Sequence, residues 1–164
     1  MSDLERWDTL SMVELEVMLD ALRERAGIVA LDADASGPRE VIVCGGRDYQ
    51  PTRGDAAWLT YWLGFLATKT VVHGGARGVD RWAGTLASRL ELAVEVVLPD
   101  YGRFPGNVAP LERNTVMADR PNVVGVLALP GERGTADMVT KAKARGLPVW
   151  LRSDPATDVR RWAA

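Results

Sequence analysis

At 164 residues, with 47% hydrophobic and 26% charged side chains, the chain has the size and composition of one ordinary globular domain. A net charge of −2 without any long Lys or Arg run makes nucleic acid an unfavoured partner, although a local basic site stays open. One Cys and one His exclude an internal disulfide and the usual structural zinc patterns, so neither a metal nor a resident cofactor is expected. No signal-peptide or membrane-spanning pattern is visible, and a cytoplasmic location without a membrane partner is expected.

Residues 1–39 read as an N-terminal helical arm and linker. Ser11 and Glu14 are spaced as a capping box ahead of an apolar stripe formed by Met12, Leu15, Leu19 and Leu22, with Met18 beside it. Gly27 suits a helix stop, and Leu31 to Glu40, with Gly37-Pro38, suits a linker. The stripe on Ser11 to Arg25 calls for a partner without naming it. A helix packed on its own domain, a homo-oligomer contact and a lid all satisfy it.

From Val41 the pattern alternates. Val41 to Cys44 is an apolar strand stopped by Gly45-Gly46. Asp55 to Ala67 reads as a helix with Trp58, Tyr61, Trp62 and Phe65 on one side. Thr70 to His73 is a second strand, stopped by Gly74-Gly75, and Val79 to Leu90 a second helix. Ala93 to Leu98 is a third strand and Pro110 to Ala118 a short helix. Val123 to Leu129 is a fourth strand stopped by Pro130-Gly131, and Thr135 to Arg145 a helix closed by Gly146. Pro148 to Leu151 is a fifth strand. Asp154 and Pro155 suit the cap and first turn of a closing helix, predicted from Pro155 to Trp162. Short apolar strands alternating with helices predict an α/β, Rossmann-like, doubly wound and mostly parallel five-stranded sheet, covered on both faces. This domain spans residues 40–152, followed by a C-terminal helix over 153–164. Cys44 and most of the six Trp residues are read as core.

In an open parallel sheet the loops leaving the strands toward their helices share one edge, and ligands bind there. Those loops carry Gly45-Gly46-Arg47-Asp48, then Gly74-Gly75-Ala76-Arg77-Gly78 with Asp80, then Arg113-Asn114, then Pro130-Gly131-Glu132-Arg133-Gly134-Thr135. With Asp100-Tyr101-Gly102 leading into the third, each of the four supplies glycine and at least one arginine. Glycine lets backbone N–H groups approach a phosphate, helix N-termini add the positive end of a dipole, and arginine offers a planar fork for an anion. The bland alternative is that the glycines only make turns and the arginines pair with Asp48, Asp80 or Asp137. Neither a GxGxxG fingerprint nor a Walker A loop is present, so dehydrogenase and P-loop readings lose their main support. His73 reads as a hydrogen-bonded strand-end side chain or a ligand contact. Tyr49 and Tyr101 are candidates to stack on a base.

The segments VIVCGGRDY, VVHGGARGVDRWA, YG…G…RN and LPGERGTADM, in this order, resemble the SLOG superfamily, which unites the LOG phosphoribohydrolases with the Smf/DprA DNA-processing proteins; the chain is most similar to the YspA/YpsA-related branch of unknown function. The resemblance covers about Val41 to Val149. It implies a Rossmann-like fold with a nucleotide-type pocket in these strand-exit loops. Where LOG enzymes carry PGGxGTxxE, this chain has Glu132 at the second Gly and Met138 at the catalytic Glu, while Arg113-Asn114 resembles the LOG arginine motif.

The expectation is therefore a protein that binds a nucleotide or nucleotide-derived small molecule as sensor, carrier or sequestering protein. The alternative is an enzyme cleaving an N-glycosidic or phosphoribosyl bond, with Arg113, Asp48, Asp80 and Glu132 as its candidate catalytic residues. A single-stranded nucleic-acid binder is the third reading. Arg113→Ala and Arg77→Ala are each expected to weaken ligand binding, and Met138→Glu, with Glu132→Gly to reopen the loop, is expected to create or raise nucleoside-monophosphate hydrolysis if the rest of the site is LOG-like.

Overall fold

The computed structural model describes residues 37–158 together with Val13 and Val17. Its elements alternate: β1 (Glu40–Cys44), α1 (Arg53–Phe65), β2 (Thr70–His73), α2 (Val79–Arg89), β3 (Ala93–Val96), α3 (Val108–Ala118), β4 (Val123–Ala128), α4 (Arg133–Ala144) and β5 (Val149–Leu151), then a 3-10 turn at Pro155–Thr157. All five strands are parallel, in the order β3-β2-β1-β4-β5. This is the doubly wound arrangement predicted from the alternation.

The two faces can be read from β1. Val41 and Val43 join the cluster formed with α1 and α2, whereas Ile42 and Cys44 join the cluster with α3 and α4. Because helices cover both sides, Val41 to Cys44 are all apolar and buried after the half-buried Glu40, which is why they read as a continuous run rather than an alternation. The chain direction follows: β1, β2 and β3 step outward with α1 and α2 on one face, then the chain crosses back to β4 beside β1 with α3 and α4 on the other. The order reverses between β1 and β4, which opens a crevice at the carboxyl ends of those strands.

Several boundaries differ from the sequence reading for local reasons. Helix α1 starts at Arg53 because Thr52 caps it. Asp55 N–H donates to Thr52 Oγ1 at 3.2 Å, and Thr52 N–H donates back to Asp55 Oδ2 at 2.9 Å. Helix α3 starts at Val108, two residues ahead of Pro110, since a first-turn proline lacks only an N–H that would have no helical partner. Within the described residues, the start of the closing helix predicted from Pro155 to Trp162 is a 3-10 turn over Pro155–Thr157, capped by Asp154 and followed by extended backbone at Asp158. Trp58 and Trp62 both donate their indole N–H to Thr157 O at 3.1 Å, tying this turn over α1. Residues 159–164 lie outside the described residues, as do Met12, Leu15, Leu19, Leu22 and the rest of the predicted arm. Val13 and Val17 are helical and exposed. Among the described residues no helix is long and apolar enough to cross a membrane.

Candidate functional site

The β1 loop occupies the centre of the ligand edge and is stitched to both neighbours. Gly46 N–H donates to Pro130 O at 2.8 Å on the β4 side, and Val79 N–H donates to Gly46 O at 3.2 Å on the β2 side. Gly78 makes the second contact possible. Its φ is +79°, and a Cβ there would lie 2.5 Å from Gly46 O, so any side chain would force the two loops apart.

These loops and one face of α3 enclose a cleft of about 770 Å³. A volume of this size falls in the range of small-molecule sites. Helix α3 contributes Pro110, Arg113, Asn114 and Met117, at the i, i+3, i+4, i+7 spacing of one helical stripe. The β1 loop contributes Gly45 to Tyr49, the β2 loop Gly74, Ala76 and Arg77, and α2 Asp80. The β4 loop and the start of α4 contribute Pro130 to Thr135. Of the residues predicted to line the site, Gly75 and Gly78 do not. Both adopt left-handed backbone; Gly75 turns toward Leu98 and Val96, and Gly78 packs on the β1 loop. Sequence reasoning also missed Val43, Cys44, Asn107, Pro110, Leu111 and Met117. The helical spacing around Arg113 pointed to Pro110, but Asn107 and Leu111 carried no comparable signal.

The four arginines are not equivalent. Arg77 pairs with Asp48 at 2.9 Å in solvent, with their side chains 65% and 84% exposed, an arrangement worth little energy that leaves little free charge. For Arg77 the bland reading is realised. Arg113 is partly buried. Its Nη1 donates to Gly74 O and its Nε to Asn114 Oδ1 at 3.2 Å, so the guanidinium lies on the backbone of Gly74, where a Cβ would collide with it. Burial lowers the Arg113 pKa; nearby Asp80 opposes that shift and Arg47 adds to it. Arg47 and Arg133 are exposed and make no hydrogen bond or ion pair among the described residues. Arg47, Arg113 and Arg133 thus form a cationic pole. Beside it, α4 begins without a side-chain cap at Glu132, so its first N–H groups are left for an acceptor.

A polar clamp holds Arg113 in place. Asn114, 3% exposed, donates through Nδ2 to Gly134 O at 3.1 Å and to Asp137 Oδ2 at 2.9 Å, while Lys141 pairs with the same Asp137 oxygen. Asn114, predicted as a ligand contact, lines the cleft but uses its amide to fasten α3 to α4. Asp137 is taken up by the clamp and is not among the lining residues. Met138 is fully buried with Met117 and Ala142 and is likewise not among them.

Other candidates resolve similarly. His73 Nδ1 accepts from Gly75 N–H at 3.0 Å, and burial lowers its pKa, favouring the neutral ring. It lies outside the lining, as the strand-end reading expected. Tyr49 lines the cleft but donates its hydroxyl to Asp55 Oδ2 at 2.8 Å; burial and that bond push its phenol up to about 12. Tyr101 is exposed and outside the lining. Cys44 borders the cleft floor, and burial pushes its thiol up to about 12, so it is no nucleophile at neutral pH. Among the described residues no three or more His, Cys, Asp or Glu side chains cluster to hold a metal ion. Comparison with family models, curated proteins and solved structures returned no match, and a functional reading therefore rests on this geometry and on the residues themselves.

Proposed function

We propose that the cleft binds a phosphate-bearing, nucleotide-derived small molecule, and that the protein is a binding module: a sensor, carrier or sequestering protein. The observation that carries this reading is the cationic pole of Arg47, Arg113 and Arg133 beside an uncapped helix N-terminus, in a cleft at the point where the strand order reverses. Three guanidiniums brought to one cavity repel one another unless an anion joins them. The SLOG-like loop motifs point to the same class of ligand.

Hydrolysis is the weaker reading. The position that resembles the LOG catalytic carboxylate is Met138, buried in the core, and nothing at that position can stabilise developing positive charge or handle a proton. Incubation with adenosine 5′-monophosphate, ADP-ribose and NAD, followed by chromatography and calorimetry, tests both readings. Intact ligand with measurable binding is expected. Released base would establish an N-glycosidic hydrolase. Failure of all three nucleotides and of inorganic pyrophosphate to bind would overturn the anion site.

A further inference from the structure

Helix α1 is buried on more sides than its sheet can cover. Every residue from Asp55 to Leu63 is buried. Leu59 and Leu63 join the core cluster with Val41 and Val43 of β1. Ala57 and Tyr61 stand two positions from these leucines, about 160–200° around an ideal helix. A helix lying on a sheet turns one face to it and the opposite face to solvent. Ala57 and Tyr61 are nevertheless 0% exposed. The Tyr61 ring meets Trp62 and Phe65, which belong to its own helix. The 3-10 turn reaches α1 at Trp58 and Trp62, on the flank between the two faces. The outer face therefore has a cover of its own.

Two segments of the chain lie outside the described residues and could supply it. Residues 159–164 are too few, since a helix of that length spans about 9 Å against about 20 Å for α1. Ser11 to Arg25 would span about 22 Å as a helix and carries the apolar stripe of Met12, Leu15, Leu19 and Leu22. Val13 and Val17 are helical and exposed, and they lie about 180° around the helix from the centre of that stripe. The side opposite the stripe thus faces solvent, which turns the stripe toward protein. The chain also enters the domain at the right place. Arg39 Nε donates to Leu66 O at 2.8 Å and Lys69 N–H to Arg39 O at 2.9 Å, so the residues just ahead of β1 lie against the C-terminal end of α1. From there residues 26–36 can reach about 36 Å, well beyond the length of α1.

We propose that the apolar stripe of Ser11 to Arg25 packs on the outer face of α1, over Ala57 and Tyr61 of the same chain. The tether favours this occupant over a second copy, because it holds the stripe at an effective concentration on the order of millimolar. The stripe is then open neither to a lid over the cleft nor to a dimer contact. Hydroxyl-radical footprinting of the full chain, read by mass spectrometry, tests this, with light scattering on the same sample. The wild type should be a monomer in which Met12, Met18 and Tyr61 are labelled much more slowly than the free amino acids. Leu15→Ser combined with Leu19→Ser should raise Tyr61 labelling severalfold and leave Met138, buried under the other face of the sheet, unchanged. Should Met138 labelling rise too, the variant has unfolded and the wild-type comparison decides alone. Met12 and Met18 labelled as fast as free methionine, or unchanged Tyr61 labelling in the folded variant, would overturn the docking. A wild-type dimer that exposes Tyr61 on dilution would give the face to a second copy and overturn the assignment within one chain.

Discussion

Replacing Arg113 by alanine separates the two roles of its guanidinium. The side chain carries five N–H donors. One on Nε goes to Asn114 and one on Nη1 to Gly74, which leaves three for an anion in the cleft. A phosphate held by charge-assisted hydrogen bonds from this group would lose about 1.5–3 kcal/mol, so Kd should rise roughly ten- to a hundredfold. The fold should survive. The substitution removes a donor from Gly74 O, a cost of about 1–3 kcal/mol, against a typical domain stability of about 5–15 kcal/mol. Arg113→Lys should recover only part of the affinity, because an ammonium keeps the charge but loses the fork. Arg77→Ala is the internal control. Its guanidinium already faces Asp48 in solvent, and its removal should change affinity far less. Calorimetry with pyrophosphate and adenosine 5′-monophosphate, with thermal melts alongside, reads all three variants. Wild-type affinity in a folded Arg113→Ala protein would refute the cationic pole, and a larger loss from Arg77→Ala than from Arg113→Ala would refute the ranking.

Three further outcomes follow from the packing. Asp55 is 2% exposed and accepts from Arg152 at 2.8 Å, Tyr49 at 2.8 Å and Thr52 at 2.9 Å, so Asp55→Ala should cost about 3–5 kcal/mol in urea unfolding, and a loss below about 1 kcal/mol would contradict it. A Cβ at Gly45 would lie 2.6–2.8 Å from the Val79 side chain, so Gly45→Ala should lower stability by about 1–3 kcal/mol, and adding Val79→Ala should recover part of that; no recovery would show that the strain lies elsewhere. His73 is the sole histidine, and burial lowers its pKa, so the unfolded chain takes up the proton first as pH falls. Its contribution to stability is full above about pH 6.5 and declines toward the folded pKa, and His73→Gln should flatten the stability profile between about pH 7 and 5.

The sheet was legible because a parallel strand covered on both faces must be apolar at its centre, as Val41 to Cys44, Val71-Val72 within β2 and Val123 to Ala128 are. The ligand edge was legible because its loops are where glycine and arginine coincide. What escaped was set by groups that meet only in three dimensions. No spacing rule shows that Asn114 reaches Gly134 and Asp137, that Asp80 folds back onto Gly74 and Ala76, or that Arg77 is matched by Asp48, which lies 29 positions away. Gly75 and Gly78 look the same in sequence as their neighbours, yet their left-handed backbone turns them to packing. The capping box at Thr52 and Asp55 was in plain view but lies outside the apolar stripe from which the helix start was read.

Position 138 is where sequence and structure bear most directly on chemistry. By the proposed SLOG resemblance, Met138 takes the position of the LOG catalytic glutamate, and on that reading restoring the carboxylate is a route to hydrolysis. The structure redirects the expectation. Met138 is 0% exposed, packed among Ile42, Met117, Ala118 and Ala142, and is not among the residues that line the cleft. A glutamate there would place a carboxylate in an apolar cluster, where desolvation raises its pKa by as much as about 3–5 units and favours the neutral acid. Met138→Glu should therefore lose several kcal/mol of stability, on the order of a buried unpaired charge, and gain no hydrolysis. Glu132→Gly, added to reopen the loop, should not alter this, since Glu132 is exposed at the start of α4 and does not confine Met138. Urea unfolding and chromatographic assay of adenosine 5′-monophosphate read both quantities on one preparation. A stable Met138→Glu protein that releases adenine would show that this side chain reaches the cleft, and the binding-module reading would then describe a site one substitution away from catalysis.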